Sequence, residues 1–459
     1  MNNFWDSSVW GSFNLIAILL TILIIASLLK KNIPLLKESL IPTSVLGGAI
    51  LLILSAAYKV FFKINIFQTS FFGGNGTDFL EIITYHTLAL GFIASTFSDD
   101  SASFNKKRQE EIFHTGVTTV ATYLLQAILG MGLTMIAARF LTGLFPVSGV
   151  LLAFGYGQGT GQAMNYGNIY EMDFGFVGGK SFGLTIAAFG FLSASMGGVI
   201  YLNHLKRKNR LSAILERNKI SSAQHDASEK TIPLFESMDT LSVQIALVMI
   251  SYFFTFLLMN LLGTLLPGLK SVIFGFNFLL GVIMATATKA FLNFLYRKGY
   301  FKKKYISGFL MTRIRNFFFD IMVVAGIAAI QLHVLNQYFI IMLLLGITGL
   351  IATYLYNSFV AKTLFNEYPE EQFLAMYGML TGTASTGIIL LREVDPDFQS
   401  PVSDNLVYQN FPAIVFGFPL MLLATMAPVK PMTTLGILIL FFLIMNLLLF
   451  RKQLFKRKS

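Results

Sequence analysis

The sequence predicts an all-α polytopic membrane protein. Three observations carry the prediction. Of the 459 residues, 55% are hydrophobic and only 12% charged, about half the charge of a typical soluble domain. Mean hydropathy is +0.67. Apolar runs approaching the ~20 residues a bilayer-spanning helix needs recur along the whole chain. These features exclude a soluble globular enzyme, a disordered chain and a nucleic-acid-binding module. There is no cysteine, which excludes disulfides, iron–sulfur clusters and thiolate zinc sites. His86, His114, His204, His225 and His333 are scattered without metal-ligand spacing, and no resident cofactor is expected.

The apolar runs fall at 12–29, 43–62, 82–97, 112–138, 147–166, 178–203, 240–266, 271–295, 314–333, 337–361, 372–391, 406–427 and 432–450. Each reads as a helix, because backbone in hydrocarbon must satisfy its own hydrogen bonds. The first ten residues hold Asp6 and no Lys or Arg, unlike the basic start of a cleaved signal peptide. The first run is therefore a retained span with its N-terminus outside, and Trp5 and Trp10 suit the interface.

Charge tests the count of spans. The net charge of +11 is concentrated in three stretches: Lys206, Arg207, Lys208, Arg210, Arg217 and Lys219; Arg297, Lys298, Lys302, Lys303 and Lys304; and Arg451, Lys452, Lys456, Arg457 and Lys458. If every run crosses, the first stretch lies outside, against the positive-inside rule. If the runs at 147–166 and 372–391 enter and leave on one side, all three stretches are cytoplasmic. That leaves about 11 spans and two re-entrant segments. Lys289, near the inner end of its run, is expected to snorkel.

The same two runs are the oddest in composition. The first reads Phe154-Gly155-Tyr156-Gly157-Gln158-Gly159-Thr160-Gly161-Gln162-Ala163, and the second runs from Met376 through Thr381-Gly382-Thr383-Ala384-Ser385-Thr386 to Gly387. Gly159-Thr160-Gly161 overlays Gly382-Thr383-Ala384, and Gly47 falls opposite Gly275. Two halves with odd span numbers, joined by a cytoplasmic segment, must have opposite orientation. The expected organisation is a first membrane repeat at 1–203, a cytoplasmic linker at 204–239, a second, inverted repeat at 240–427, and an appended span with a basic tail at 428–459. Such inverted-topology repeats are a transporter signature.

Alternating glycine is poor helix material, each residue costing ~1 kcal/mol relative to Ala. An unwound stretch survives in a membrane only where it lines a cavity or is buried in protein. Its freed carbonyls suit Na⁺, a hard cation, and the half-helix N-terminus that follows suits a carboxylate. The candidate site is therefore Gly157, Gln158, Gly159, Thr160, Gly161 and Gln162 with Thr381, Gly382, Thr383, Ser385 and Thr386, and Na⁺ is expected near Thr160 and Thr383. Gly157 and Gly161 also form a GxxxG pair that lets helices touch; the matched second segment favours the site. Asp320 is either functional or an interfacial partner of a nearby Arg or Lys, and Arg392 either meets an anionic substrate or sits in the cytoplasm beside Glu393. Lys180 and Arg139 are equally open. Gly179-Lys180-Ser181-Phe182-Gly183 fits GxSxG but opens an apolar helix, without the strand–turn–helix setting a nucleophile needs. A phosphate loop there would need Gly where Phe174 stands. No enzymatic activity is expected.

The chain resembles the sodium:glutamate symporters. The resemblance rests on Ile41 to Ile53, on Gly155 to Ala163 as the first re-entrant glycine motif and, more loosely, on Tyr377 to Thr386 as the second. The order of runs agrees from about 12 to 427. The resemblance implies a homodimeric inverted-repeat symporter of the cell membrane, with its C-terminus cytoplasmic. A mobile part carrying both glycine segments would import glutamate with Na⁺ as the coupling ion. Tyr156 replaces a family Gly and Gln158 the family His, so a related amino-acid or dicarboxylate anion is also an expected substrate. The alternative is a sodium/proton antiporter using Asp320.

Overall fold

The computed structural model describes residues 3–98, 106–208, 210–211, 214, 239–300, 305–396 and 399–454. These form helices and short turns, with no strand among them. The first half holds α1 (Ser7–Asn32), α2 (Pro34–Glu38), α3 (Thr43–Phe62), α4 (Gly76–Ser98), α5 (Lys106–Ala137), α6 (Leu151–Gln158), α7 (Thr160–Phe174) and α8 (Gly179–Arg207). The second holds α9 (Thr240–Leu265), α10 (Lys270–Gly275), α11 (Asn277–Arg297), α12 (Gly308–Ala328), α13 (Leu332–Leu364), α14 (Pro369–Thr381), α15 (Ala384–Arg392), α16 (Val402–Tyr408) and α17 (Asn410–Met426). Helix α18 (Pro431–Leu454) follows. Most of the 204–239 linker, with Arg217, Lys219 and His225, lies outside the described residues, as do Lys302, Lys303, Lys304, Lys456, Arg457 and Lys458.

Among the described residues, nine helices are long and apolar enough to cross a membrane. The pair Val402–Tyr408 and Pro412–Met426, bent by 49°, makes a tenth if it is one span. Helix α12 has 21 residues, a spanning length, but carries Arg313, Arg315 and Asp320. The chain is thus an all-α, multi-pass membrane protein. The outer faces agree: Phe253, Leu257, Leu440 and Leu443 are among many large apolar side chains left exposed, as lipid contact requires.

Local chemistry sets the helix limits. Asp239 caps α9 by accepting from the Ser242 N–H at 3.1 Å, relieving one orphan donor of the first turn. Lys63 and Gly175 end α3 and α7 in the left-handed region, which breaks the helical hydrogen-bond run. Lys289 snorkels as expected, donating to the Thr96 carbonyl at 3.0 Å and so capping α4.

The packing partners recur between the halves. Helix α1 packs on α3 and α9 on α11; α12 packs on α3 and α11 on α4; α5 lies between α6 and α17, and α13 between α14 and α8. Individual contacts follow suit. A Cβ on Gly48 would meet Ile327 Cβ at 2.7 Å, and one on Gly281 would meet Ile93 Cγ1 at 3.0 Å. Gly281 is therefore the packing counterpart of the Gly47-Gly48 pair. Gly275 instead turns its carbonyl to the Asn165 amide.

Helix α8 is the spine that places the glycine segments. Gly179 and Gly183 let α7 approach until Gly167 and Ala163 touch the α8 backbone. Further along, Gly190 and Gly197 receive Thr381 and Tyr377 of α14. One small-residue face thus holds both glycine segments, the close-approach packing that small residues permit between membrane helices.

Candidate functional site

The chain reverses direction at both glycine segments. The rings of Phe154 and Tyr166 stack with centroids 3.8 Å apart and planes 9° off parallel. In one continuous helix those residues would be about 18 Å apart. The turn is Gly159, at φ 82 and ψ −171, a region open essentially only to glycine. In the second segment a Cβ on Gly378 would lie 2.8 Å from Gly387 Cα, although a continuous helix would separate them by about 13 Å. Here the reversal is at Gly382-Thr383, both in extended or irregular backbone. The two turns touch: a Cβ on Gly159 would sit 3.3 Å from Thr383 Cγ2 and 3.7 Å from the Gly382 carbonyl oxygen.

Each turn sets a helix start beside a helix end. Neither Gly159 nor Thr383 caps its helix with a side chain. The Ala163 N–H reaches the Gly159 carbonyl at 3.2 Å, and the Gly387 N–H reaches Thr383 at 3.1 Å. The N–H groups of Thr160, Gly161 and Gln162, and those of Ala384, Ser385 and Thr386, precede the first intrahelical bond of their helices. Each start carries roughly +0.5 charge and each end roughly −0.5. The ends are those of α6 and α14. Such a junction can hold an anion on the N–H side and a cation on the carbonyl side.

The side chains at the turns are polar and uncharged. Thr160 is fully buried, and its hydroxyl donates to the Met322 carbonyl of α12 at 3.5 Å. Gln162 is fully buried, yet neither amide atom has a hydrogen-bond partner. That is costly, roughly 1–3 kcal/mol for a buried polar group. Thr381 bonds back to the Tyr377 carbonyl at 2.6 Å, and the Thr383 and Thr386 hydroxyls are 3.4 Å apart. Gln158 and Ser385 are half-buried.

Gly157 and Gly161 do not form one GxxxG face, because the turn at Gly159 separates them. Gly157 is covered by the Tyr123 ring, and Gly161 faces Leu88 and Met322, which a Cβ would meet at 2.8 and 2.9 Å. Both are close-packing positions, one facing α5 and the other facing α4 and α12.

Two further candidates sit away from the turns. Asp320 accepts a hydrogen bond from Ser44 at the start of α3. The matching contact in the other half is the Asn277 amide of α11 donating to the Tyr85 carbonyl of α4 at 3.0 Å. Arg392 ends α15, about 13 Å along that helix from Ala384. Lys180 is resolved: it pairs with Glu81 at 2.6 Å. Ser181 accepts from the Gln331 N–H at 3.1 Å, a structural role.

The structure adds Gln126 of α5, inside the apolar run 112–138. It is fully buried and donates to the Thr353 hydroxyl and the Leu380 carbonyl, both at 2.8 Å. Its own carbonyl oxygen has no partner and would lie 3.3 Å from a Cβ on Gly157. The run of threonines before it, Thr115, Thr118, Thr119 and Thr122, is likewise buried. Comparison of the sequence with protein-family models and with curated proteins finds no match.

Proposed function

We propose that the chain is a secondary active transporter, a sodium-coupled symporter of glutamate or a related amino-acid or dicarboxylate anion. The observation that carries the reading is the contact of two helical reversals, Gly159 and Gly382-Thr383, beside the partnerless buried amide of Gln162. Two helix starts together offer about one positive charge, which matches a substrate of net charge −1 without any ionised side chain in the site. Two helix ends and the hydroxyls of Thr160 and Thr383 offer the oxygen ligands that Na⁺ prefers.

Arm lengths fit re-entrant hairpins. Arms of 8 to 15 residues reach about 12–22 Å, enough to pass the middle of a ~30 Å hydrocarbon layer but not to cross it. When neither hairpin crosses, Lys30, Lys31, Lys206, Arg207, Arg297, Arg451 and Lys452, which lie in the last turns of their helices, all face one side. That side is the cytoplasm by the positive-inside rule, with the N-terminus outside and the plasma membrane as the host bilayer. The first hairpin then enters from outside and the second from inside. The recurring partners of the two halves support an inverted repeat, in which α3, α4, α11 and α12 frame the hairpins held on α8. Alternating access moves one group against the other.

The test is uptake by purified protein in liposomes, with a panel of labelled amino and dicarboxylic acids. One or more acidic members should accumulate when an inward sodium gradient is imposed and not without it. Accumulation of none, or accumulation indifferent to sodium, rejects the reading.

A further inference from the structure

On the outer surface, α5 and α17 part to leave a groove of about 470 Å³. Its walls are single helical faces: Ile112 and Phe113 on one side, Pro412, Val415 and Phe416 on the other. Those positions recur at three- and four-residue spacing, so each wall is one continuous stripe. The lining is apolar apart from Gln109 and Tyr408, which lie towards the starts of α5 and α17.

The rim is basic. The Arg451 guanidinium of α18 lies 5.5 Å from the centre of the Phe113 ring, the same ring that lines the groove. Next to it Lys452 is paired with Glu110, and His114 lies 3.6 Å from that carboxylate. Glu110 is therefore engaged by Lys452, while Arg451 makes no ion pair among the described residues. Starts of α5 and α17 and the end of α18 meet here, so the polar mouth, the cation and the groove lie in order along the helices.

We infer that this groove binds an anionic phospholipid, with an acyl chain between α5 and α17 and the phosphate on Arg451. An apolar slot in a membrane protein accepts a hydrocarbon chain of any lipid. The exposed guanidinium at its mouth is what selects the headgroup, because Arg pairs with phosphate through parallel N–H donors. Helix α18 thereby acquires a task that its lack of a counterpart elsewhere in the chain leaves open: it supplies the headgroup contact. The inference requires only that the chain sits in a bilayer, and it stands apart from the transport reading.

The experiment is native mass spectrometry of the full chain, released from detergent after equilibration with phosphatidylglycerol or phosphatidylcholine of identical acyl chains. The wild type should retain phosphatidylglycerol in preference. Arg451→Gln, an exposed position, should lower that retention about fivefold, the effect of one cation near a lipid surface, and leave phosphatidylcholine unchanged. Val415→Trp, which fills the slot, should lower retention of both lipids. Equal retention of the two lipids by the wild type overturns the inference. So does an Arg451→Gln variant that keeps the preference, or a Val415→Trp variant that changes oligomeric state with lipid retention intact, which would make a second copy the occupant.

Discussion

Gly159 and Thr383 are neighbours across 224 residues of chain: a single methyl group on Gly159 would lie 3.3 Å from the Thr383 methyl. Gly159 also holds backbone that other residues reach only at about 1–3 kcal/mol. Gly159→Ala should therefore lower thermal stability by about that amount and cut sodium-driven uptake at least tenfold. Scanning fluorimetry and liposome uptake check the two parts. A variant of unchanged stability and uptake would show that neither the turn nor the contact matters.

Gln162 gives a prediction of opposite sign for stability. Both amide atoms are buried without partners, so Gln162→Met removes a desolvation penalty and keeps the volume. The variant should be more stable by about 1–3 kcal/mol, yet should lose the stabilisation that sodium plus substrate confers on the wild type. Denaturation with and without ligand reads both. A less stable variant that still responds to ligand would assign Gln162 to packing.

Glu81 and Lys180 tie α4 to the start of α8 with side chains only 11% and 24% exposed. Breaking a buried pair costs about 3–5 kcal/mol and an exposed one under about 1, so this partly shielded pair falls between. Lys180→Met should destabilise by about 2 kcal/mol, and adding Glu81→Gln should recover most of it. A double-mutant cycle with no coupling would refute the assignment.

Asp320 separates two transport mechanisms. Its Ser44 contact belongs to the α3–α12 packing and not to the hairpin turns. Asp320→Asn, which keeps a hydrogen-bond acceptor, should retain most sodium-driven uptake. Complete loss, with sodium-dependent proton flux in the wild type, would favour the antiporter.

Energetics set the coupling ratio for an accumulated anion. Importing one negative charge against 100 mV costs about 2.3 kcal/mol and thousandfold accumulation about 4.1. One Na⁺ with a tenfold gradient and the same voltage supplies about 3.7, which is too little, and two suffice. Transport should carry net positive charge inward. An electroneutral one-to-one stoichiometry would contradict the scheme.

The sequence reading located both helical reversals because glycine, turn residues and charge topology agreed there. It did not say which glycine turns. Gly155, Gly157 and Gly161 stay helical and serve close packing against Ala187, Tyr123 and Leu88; only Gly159 adopts a positive φ. The helix starts pair Gly159 with Thr383, one residue away from the overlay read from composition. Gln126 was hidden because one amide in an apolar run gives no periodic signal, and the threonines before it satisfy themselves on the preceding turn. The direction of Asp320 and the partner of Lys180 depend on how whole helices rotate against one another, which spacing along the chain does not encode.

The chain contains no cysteine, so one introduced thiol reports without background. Ser385→Cys places it, half-buried, in the first turn of α15. Alkylation by a small membrane-permeant reagent should slow severalfold when sodium and the transported anion are present together. A rate indifferent to both, in a variant that still transports, would contradict a binding site between the two turns.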